Sequence, residues 1–241
     1  MARFLALRLS APMISFGGNE TGMIRPYPLT SMVTGLLGNA LGYRRTDFDK
    51  LARLQDRLSH ATRKDRGEDD VLRDFHTVTT TEFDHDANGR ILSTNKIGTK
   101  FRSGPVKQPP RMEYHQGSSY TMVVTVDPAD ETPTLDEIAQ AVQFPARPLF
   151  FGRKCCLPSQ RPFLAIIEGD DLVEVLAKIP PCRLRGSVRG DEKVNVWWSG
   201  KSRVKADHTE WATMKRDWRY QIHTGICEIH RGTIQLGGEG S

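Results

Sequence analysis

The sequence predicts an α+β protein with a ferredoxin-like core, in which the elements follow one another as strand, helix, strand, strand, helix and strand. Three observations favour this order. Apolar residues mark strands at Phe4–Ser10 and Tyr120–Val126, a helical apolar stripe runs through Ser31–Leu41, and a capping box opens a later helix at Thr134. A chain of 241 residues can bury one large core or two small ones.

The first strand is followed by two predicted helices. Pro26 and Pro28 keep the approach to the first helix extended, and Thr30 or Ser31 can cap it. Gly35 and Gly38 lower its helix propensity, which predicts a close approach by sheet, backbone or ligand there. A second helix is predicted to open at Thr46 with Asp49 as its capping-box partner, and its apolar stripe consists of Phe48, Leu51, Leu54 and Leu58.

The remaining core elements lie further along the chain. Asp74–Thr81 is rich in β-forming residues and is predicted as the second core strand, with Tyr120–Val126 as the third. Thr134 and Glu137 form the capping box of a helix that carries Leu135, Ile138, Ala141 and Val142. The apolar run Leu149–Phe151 is predicted as the last strand of the core.

The sequence divides into a core domain at residues 1–161 and a smaller, mainly β subdomain at residues 162–241. Residues 82–113 are too many for an ordinary hairpin loop, which predicts either a disordered loop or a protruding β-hairpin arm, and we favour a partly mobile arm, or thumb, that orders on its ligand. Beyond Arg161 the predicted elements are three strands and one short helix: Phe163–Glu168, Arg183–Val188, Val194–Trp198 and the helix Asp171–Lys178.

Composition narrows the class of protein. No apolar run reaches the roughly 18 residues that a membrane-spanning helix needs. The four cysteines form no disulfide framework, so a reducing cytoplasm is the expected compartment.

The basic residues are segregated along the chain. Three segments, 22–46, 90–111 and 143–161, together hold 13 of the 34 lysines and arginines and none of the 29 acidic residues. A site for a polyanion must exclude carboxylates, whereas an ordinary solvated surface mixes both signs of charge. This segregation favours a nucleic acid as the ligand.

Candidate RNA-binding residues come from four places. The approach, start and end of the first helix contribute Arg25, Tyr27, Thr30, Ser31, Arg44 and Arg45. The turn after Leu149–Phe151 contributes Gly152, Arg153 and Lys154. The arm contributes Lys96, Lys100, Arg102, Lys107 and Arg111, and the strand before it contributes His76. A helix N-terminus beside arginines is suited to anions, and tyrosines can stack on bases.

An enzymatic function has weaker support. The sequence contains no phosphate-binding loop, dinucleotide fingerprint or serine nucleophile motif, so no cofactor is expected. His223, Cys227 and His230 have metal-ligand spacing only if they are helical, and a fourth ligand is missing. A metal-independent ribonuclease needs only a base and an acid. The residues that could serve are Tyr27, His76, Lys107, Tyr114 and His115.

Three motifs resemble the CasD-type subunit of type I CRISPR Cascade complexes. They are RPYPLTSMVTGLLGNALGYRR at Arg25–Arg45, LRDFHTVTT at Leu72–Thr80 and RPLFFGRKCCLPS at Arg147–Ser159, and they occur in the family's order. The last motif is most similar to the type I-E branch. Leu29 and Thr30 depart from the family pattern, and residues beyond about 161 match less distinctly.

The resemblance implies a protein of the RAMP superfamily, with a ferredoxin-like (RRM-like) core and a thumb hairpin. It implies a subunit that grips the 5′ handle of the CRISPR RNA (crRNA) and caps the backbone of the complex. The implied partners are the adjacent backbone subunit, the large subunit that reads the PAM, and target DNA through the complex. In the type I-E branch a separate endoribonuclease processes the precursor RNA, whereas type I-C members cleave it themselves.

Overall fold

The computed structural model describes residues 1–17, 24–67, 71–75, 81–85, 91–96, 111–182 and 192–236. Its helices are α1 (Thr30–Ala40), α2 (Phe48–Arg57), α3 (Leu135–Gln143) and α4 (Leu172–Lys178). Its strands are β1 (Ala2–Ser10), β2 (Met13–Ile14), β3 (Leu58–Arg66), β4 (Val71–Phe75), β5 (Thr81–His85), β6 (Ile91–Lys96), β7 (Arg111–Gln116), β8 (Ser119–Val126), β9 (Phe163–Gly169), β10 (Lys193–Trp198), β11 (His208–Asp217) and β12 (Ile222–Gln235).

The fold is a mixed α/β arrangement dominated by antiparallel sheet. Seven strands form the main sheet in the order β11-β12-β10-β3-β8-β1-β9. Every neighbouring pair in it is antiparallel. A three-stranded sheet, β2-β7-β4, and the pair β5-β6 lie outside the main sheet. Strands that follow residue 161 therefore add to both sides of the strands that precede it.

Helices cover both faces of the main sheet. Leu5, Leu7 and Leu9 of β1 belong to a buried cluster with the apolar residues of α1 and α3. Phe4 and Ala6 belong to a second cluster with α4. Because successive side chains of a strand point to opposite faces, α1 and α3 lie on one face and α4 on the other.

The predicted second core strand, Asp74–Thr81, was wrong, because the strand that pairs with β8 in the main sheet is β3. The predicted second helix is shorter than its apolar pattern. Leu58 continues the helical spacing of Leu51 and Leu54, but α2 ends at Arg57 and Leu58 begins β3. The residue before α2 is Asp47, and no side chain caps the helix, so the predicted capping box at Thr46 and Asp49 is absent. The helical spacing of Leu58 therefore masked the start of β3, a strand whose side chains are buried on both faces of the sheet.

The predicted strand at Leu149–Phe151 was also wrong. The chain is irregular there, and the sheet position beside β1 is filled by β9. In the predicted strand Asp74–Thr81, Asp74 and Phe75 belong to β4 and Thr81 begins β5, while 76–80 lie outside the described residues. The predicted strand Arg183–Val188 lies outside them as well.

The later helices follow their sequence signals. Thr134 and Glu137 form the predicted capping box of α3, with hydrogen bonds of 3.3 and 2.7 Å.

The predicted cap of α1 was wrong, because Leu29 precedes the helix and no side chain caps it. A β-carbon at Gly38 would lie 2.7 Å from Leu51 Cδ2, so what approaches this glycine is a side chain of α2 and not the predicted sheet, backbone or ligand. None of the helices in the described ranges is long and apolar enough to cross a membrane.

Stability is expected to fall in mild acid because of His60 on β3. His60 is 1% exposed, hydrogen-bonds with Thr30 Oγ1 at 3.3 Å, and has its pKa lowered to about 4 by burial. Between pH 4 and about 6.5, the His60 imidazole binds a proton more readily in the unfolded chain than in the folded protein. The stability that neutral His60 contributes is therefore complete above this range and is lost as the pH falls. Urea unfolding should show a loss of about 2 kcal/mol between pH 7 and pH 5.

The pH dependence can be assigned by comparing two histidine variants. His60→Gln should flatten the slope between pH 5 and pH 7, whereas His208→Gln, at an exposed site on β11, should retain it. An unchanged slope in His60→Gln would show that another group is responsible.

Candidate nucleic-acid interface

The end of α1 is fixed to the irregular segment that follows α3. The Ala146 amide donates to the Ala40 carbonyl at 2.9 Å, and Asn39 Nδ2 donates to the Pro148 carbonyl at 2.8 Å. Arg147 also donates to the carbonyl of Tyr43. These bonds bring the first and third acid-free segments of the sequence together.

Gly152 makes a tight turn that no other residue type fits. Its φ is +96°, and an added β-carbon would lie 1.7 Å from the carbonyl oxygen of Ser15. The Ser15 amide donates to Phe151 at 3.1 Å, and the Cys156 amide closes the turn onto Arg153 at 2.9 Å. The glycine therefore fixes where the following cations emerge.

The two cations after Gly152 have different surroundings. Arg153 Nη1 donates to the Glu113 carbonyl at 2.9 Å, and its guanidinium lies 4.7 Å from the ring centre of Tyr114. Lys154 is exposed. Arg153 thus anchors the turn to β7, while Lys154 faces solvent.

Opposite the Gly152 turn and its two cations, the hairpin β11–β12 forms the second wall of a groove. The side-chain amide of Gln55 pairs with the backbone of Arg216 through two hydrogen bonds of 3.0 Å, as a neighbouring strand would. Arg45 Nε donates to Gln221 Oε1, also at 3.0 Å. These contacts hold the end of β11 against α2 and the end of α1.

The space between these walls is a basic groove of about 940 Å³. It is lined by six cationic residues, namely Arg44, Arg45, Arg147, Arg153, Lys154 and Arg216. No carboxylate is among the described residues that line it. Burial and then the charge of Arg45 lower the pKa of Arg216, which reflects how closely the cations are grouped. A carboxylate-free cluster of cations of this kind is suited to a polyanion.

The approach to α1 lies apart from the basic groove. Tyr27 is buried, and its hydroxyl donates to Glu210 of β11, whose carboxylate also lies 3.9 Å from Arg25. Burial and this carboxylate raise the pKa of Tyr27 to about 12. The acid-free segment 22–46 therefore has a carboxylate from another part of the chain, that of Glu210, beside it in the folded protein. Arg44 and Arg45 follow the far end of the helix.

The remaining candidate RNA-binding residues are either buried or have side chains that the structure does not describe. Thr30 is buried against His60, and Ser31 is buried beside the groove in an adjoining cavity. Of the arm residues, Lys96 and Arg111 end β6 and begin β7, and their side chains are not described. The following lie outside the described residues: His76, Lys100, Arg102 and Lys107.

Sequence reasoning missed Arg216 and Trp218. Both line the groove, and Trp218 is 8% exposed. The basic and aromatic run KRDWR at Lys215–Arg219 was a local signal for them. Asp217 within this run and Glu210 before it keep the stretch from being free of acids, which was the criterion that marked the other basic segments.

Three of the candidate acid–base residues, Tyr27, Tyr114 and His115, lie in the described part of the chain, and all three are buried, with His115 also lining the second cleft described below. His115 and Tyr114 are buried, at 7% and 6% exposure. His115 Nε2 donates to the Arg25 carbonyl at 2.7 Å, and Arg25 donates to the Tyr27 hydroxyl at 3.2 Å. The cluster is thus connected through Arg25 and largely closed to solvent.

No group of three or more potential metal ligands converges in the described part of the chain. His223, Cys227 and His230 all lie on strand β12, so the helical spacing considered from the sequence does not apply.

A second cleft, of about 570 Å³, lies between the main sheet and β7. Lys64, Arg66, Lys193 and Arg231 line it, but so do the carboxylates of Asp65 and Glu113. Its charge is therefore mixed.

Comparison with known proteins identifies the family of this chain. The model of the CRISPR-associated Cas5 family, Cas_Cas5d, matches residues 4–230. The chain belongs to this family, and the CasD-type resemblance seen in the motifs is confirmed.

One curated protein is similar to this chain in sequence, and two solved structures are similar to it in fold. The chain is 28% identical over 204 residues to the CRISPR system Cascade subunit CasD of Escherichia coli (strain K12), covering 80% of this chain and 84% of CasD. A structure described as a CRISPR RNA-guided surveillance complex matches with a TM-score of 0.62 and 23% identity, over 97% of this chain and 90% of that one. A crystal structure of a Cas protein matches with a TM-score of 0.59 and 20% identity, over 98% and 96%.

Proposed function

We propose that this protein is a non-catalytic, RNA-binding subunit of a Cascade-type complex that holds the 5′ handle of a crRNA and caps the backbone. The observation that carries the proposal is the basic groove, where two acid-free segments and the β11–β12 hairpin place six cations around one space. Family membership and the likeness to CasD support a role in a CRISPR surveillance complex.

The partners follow from the same proposal. They are the crRNA, the neighbouring backbone subunit, the large PAM-reading subunit, and target DNA through the assembled complex, in the cytoplasm of a prokaryote. The candidate residues on the arm extend the proposed contact beyond the groove, whereas Tyr27 and Thr30 at the α1 approach are buried. Arg44, Arg45, Arg153 and Lys154 form its centre, and Arg216 joins them from β11.

We also propose that the core is ferredoxin-like. Strands β3, β8, β1 and β9 are neighbours in that order, and α1 and α3 pack on one face of them. Taken as second, third, first and fourth strands, they have the antiparallel order expected for βαββαβ. The division into a domain at 1–161 and a subdomain at 162–241, with the thumb at 82–113, belongs to this proposal.

One experiment with labelled repeat RNA tests binding and chemistry together. The full chain should shift the RNA in a native gel, and its affinity should fall steeply with salt because phosphate contacts release counterions. The RNA should remain intact with or without EDTA, since the acid–base candidates in the described part of the chain, Tyr27, Tyr114 and His115, are buried and Tyr27 has a pKa of about 12.

The opposite outcome identifies the alternative function. EDTA-resistant cleavage at one position of the repeat, lost in His115→Ala or Tyr27→Phe, would make the protein a metal-independent endoribonuclease that processes precursor crRNA. Intact RNA with no salt-dependent binding would contradict the RNA-binding proposal itself.

A further inference from the structure

Arg216 lies where β11 departs from regular pairing. The register between β11 and β12 shifts between Thr213 and Lys215, and it shifts again between Lys215 and Arg216. Irregularities of this kind bend a strand and change the direction of its side chains. The ladder with β12 is therefore a weak constraint on where the Arg216 side chain lies.

Gln55 of α2 supplies a stronger constraint. Its Nε2 donates to the Arg216 carbonyl, and the Arg216 amide donates to its Oε1, both at 3.0 Å. Gln55 is 4% exposed and follows Leu54, which is fully buried in the core. Since little water can replace the strand at such a site, moving Arg216 away would leave the Gln55 amide unpaired, which is costly.

The other contacts at the end of β11 hold Arg216 less firmly in place. Lys215 Nζ donates to Asp56 Oδ1 at 2.6 Å, but these side chains are 35% and 56% exposed, and exposed ion pairs contribute little. Arg216 Nη2 donates to the Gln221 carbonyl at 3.2 Å, within the same hairpin. This bond fixes the guanidinium relative to the hairpin, whereas Gln55 ties the Arg216 backbone to α2.

We propose that Gln55 is a positioning residue for RNA binding, which holds the backbone of Arg216 so that the guanidinium stays in the basic groove. The inference rests on the proposed function and adds a residue that acts on the RNA indirectly. Gln55 is not among the described residues that line the groove, so its effect must pass through Arg216. Removing the Arg216 side chain should therefore abolish the effect of Gln55 on affinity.

A double-mutant cycle on the full chain with labelled repeat RNA tests this proposal. Gln55→Met keeps the length of the side chain and loses both hydrogen bonds. It should weaken binding about tenfold, as should Arg216→Ala. Both should make the slope of log affinity against log salt shallower by up to about 0.7. The double variant should bind within about twofold of Arg216→Ala, and losses that add instead would overturn the proposal.

Thr134→Ala separates positioning from a general loss of stability. It removes the side-chain cap of α3 and lowers stability, but Thr134 is not among the described residues that line the groove. RNA affinity should stay unchanged in this variant when all proteins are assayed below their melting temperatures. A loss of affinity equal to that of Gln55→Met would contradict the positioning role.

Hydrogen exchange of the Arg216 amide, measured by NMR, gives a readout that needs no variant to fold. In the unaltered chain this amide should exchange as slowly as those of the β11–β12 ladder, because Gln55 accepts its hydrogen bond. Exchange at the rate of an exposed amide would show that Gln55 does not hold the strand.

The failure of this proposal can be told from that of the proposed function. If Gln55→Met binds RNA like the unaltered chain while Lys154→Ala weakens binding, the positioning role is wrong and the proposed function stands. If the unaltered chain binds no RNA, both are wrong.

Discussion

Replacing Gly152 with alanine is expected to destabilise the protein by about 3 kcal/mol or more. The added β-carbon would lie 1.7 Å from the Ser15 carbonyl oxygen, and the φ of +96° is strained for any residue with a β-carbon. The backbone of Ser15 and of the turn must separate to relieve this overlap. In thermal denaturation, such a loss corresponds to a fall in melting temperature of roughly 10 °C.

The same substitution should also weaken RNA binding, because the turn sets the positions of Arg153 and Lys154. Gly117→Ala is the matched control, since Gly117 has a φ of +54° but nothing within 4 Å of an added β-carbon. It should cost only the conformational term of about 1 kcal/mol and leave RNA affinity unchanged. Equal losses of stability in the two variants would show that the contact with Ser15 is not what requires glycine.

Reversing two charges of the basic groove should nearly abolish RNA binding. Arg44→Glu and Lys154→Glu each replace an exposed cation of the groove with a carboxylate. Each change removes a proposed phosphate contact and adds repulsion, so the double variant should lose at least about a hundredfold in affinity at physiological salt. The slope of log affinity against log salt should also become shallower by about 0.7 for each lost contact.

The control for this change is Lys178→Glu. Lys178 is exposed at the end of α4, on the other face of the main sheet from α1. It alters net charge by the same amount per site, so it separates a local contact from the general field of the protein. If Lys178→Glu weakened RNA binding as much as either groove substitution, the groove would not be the binding site.

Local signals predicted those elements whose sequence pattern has one reading. The apolar run Tyr120–Val126 became β8, and the capping box at Thr134 became α3. Leu58 misled because its spacing continues a helix although it begins a strand that is buried on both faces. Which strand would pair with β1 depended on contacts between distant parts of the chain, so β9 could not be placed from its own sequence.

The candidate site was predicted in part for the same reason. The acid-free segments contain Arg44, Arg45, Arg153 and Lys154, which the fold does bring together. The sequence could not show that β11 would bring Glu210 to Tyr27 or Arg216 to the groove. Glu210 lies 183 positions from Tyr27, and the hydrogen bond between Gln55 and Arg216 that helps to place Arg216 spans 161 positions.

Photo-crosslinking of RNA that carries 4-thiouridine, followed by mass spectrometry of the peptides, tests the central claim most directly. If the basic groove holds the RNA, crosslinks should concentrate in the peptides that contain Arg44, Lys154 and Trp218. Crosslinks confined to the second cleft, in peptides that contain Lys64, Lys193 and Arg231, with none in the groove, would contradict the claim.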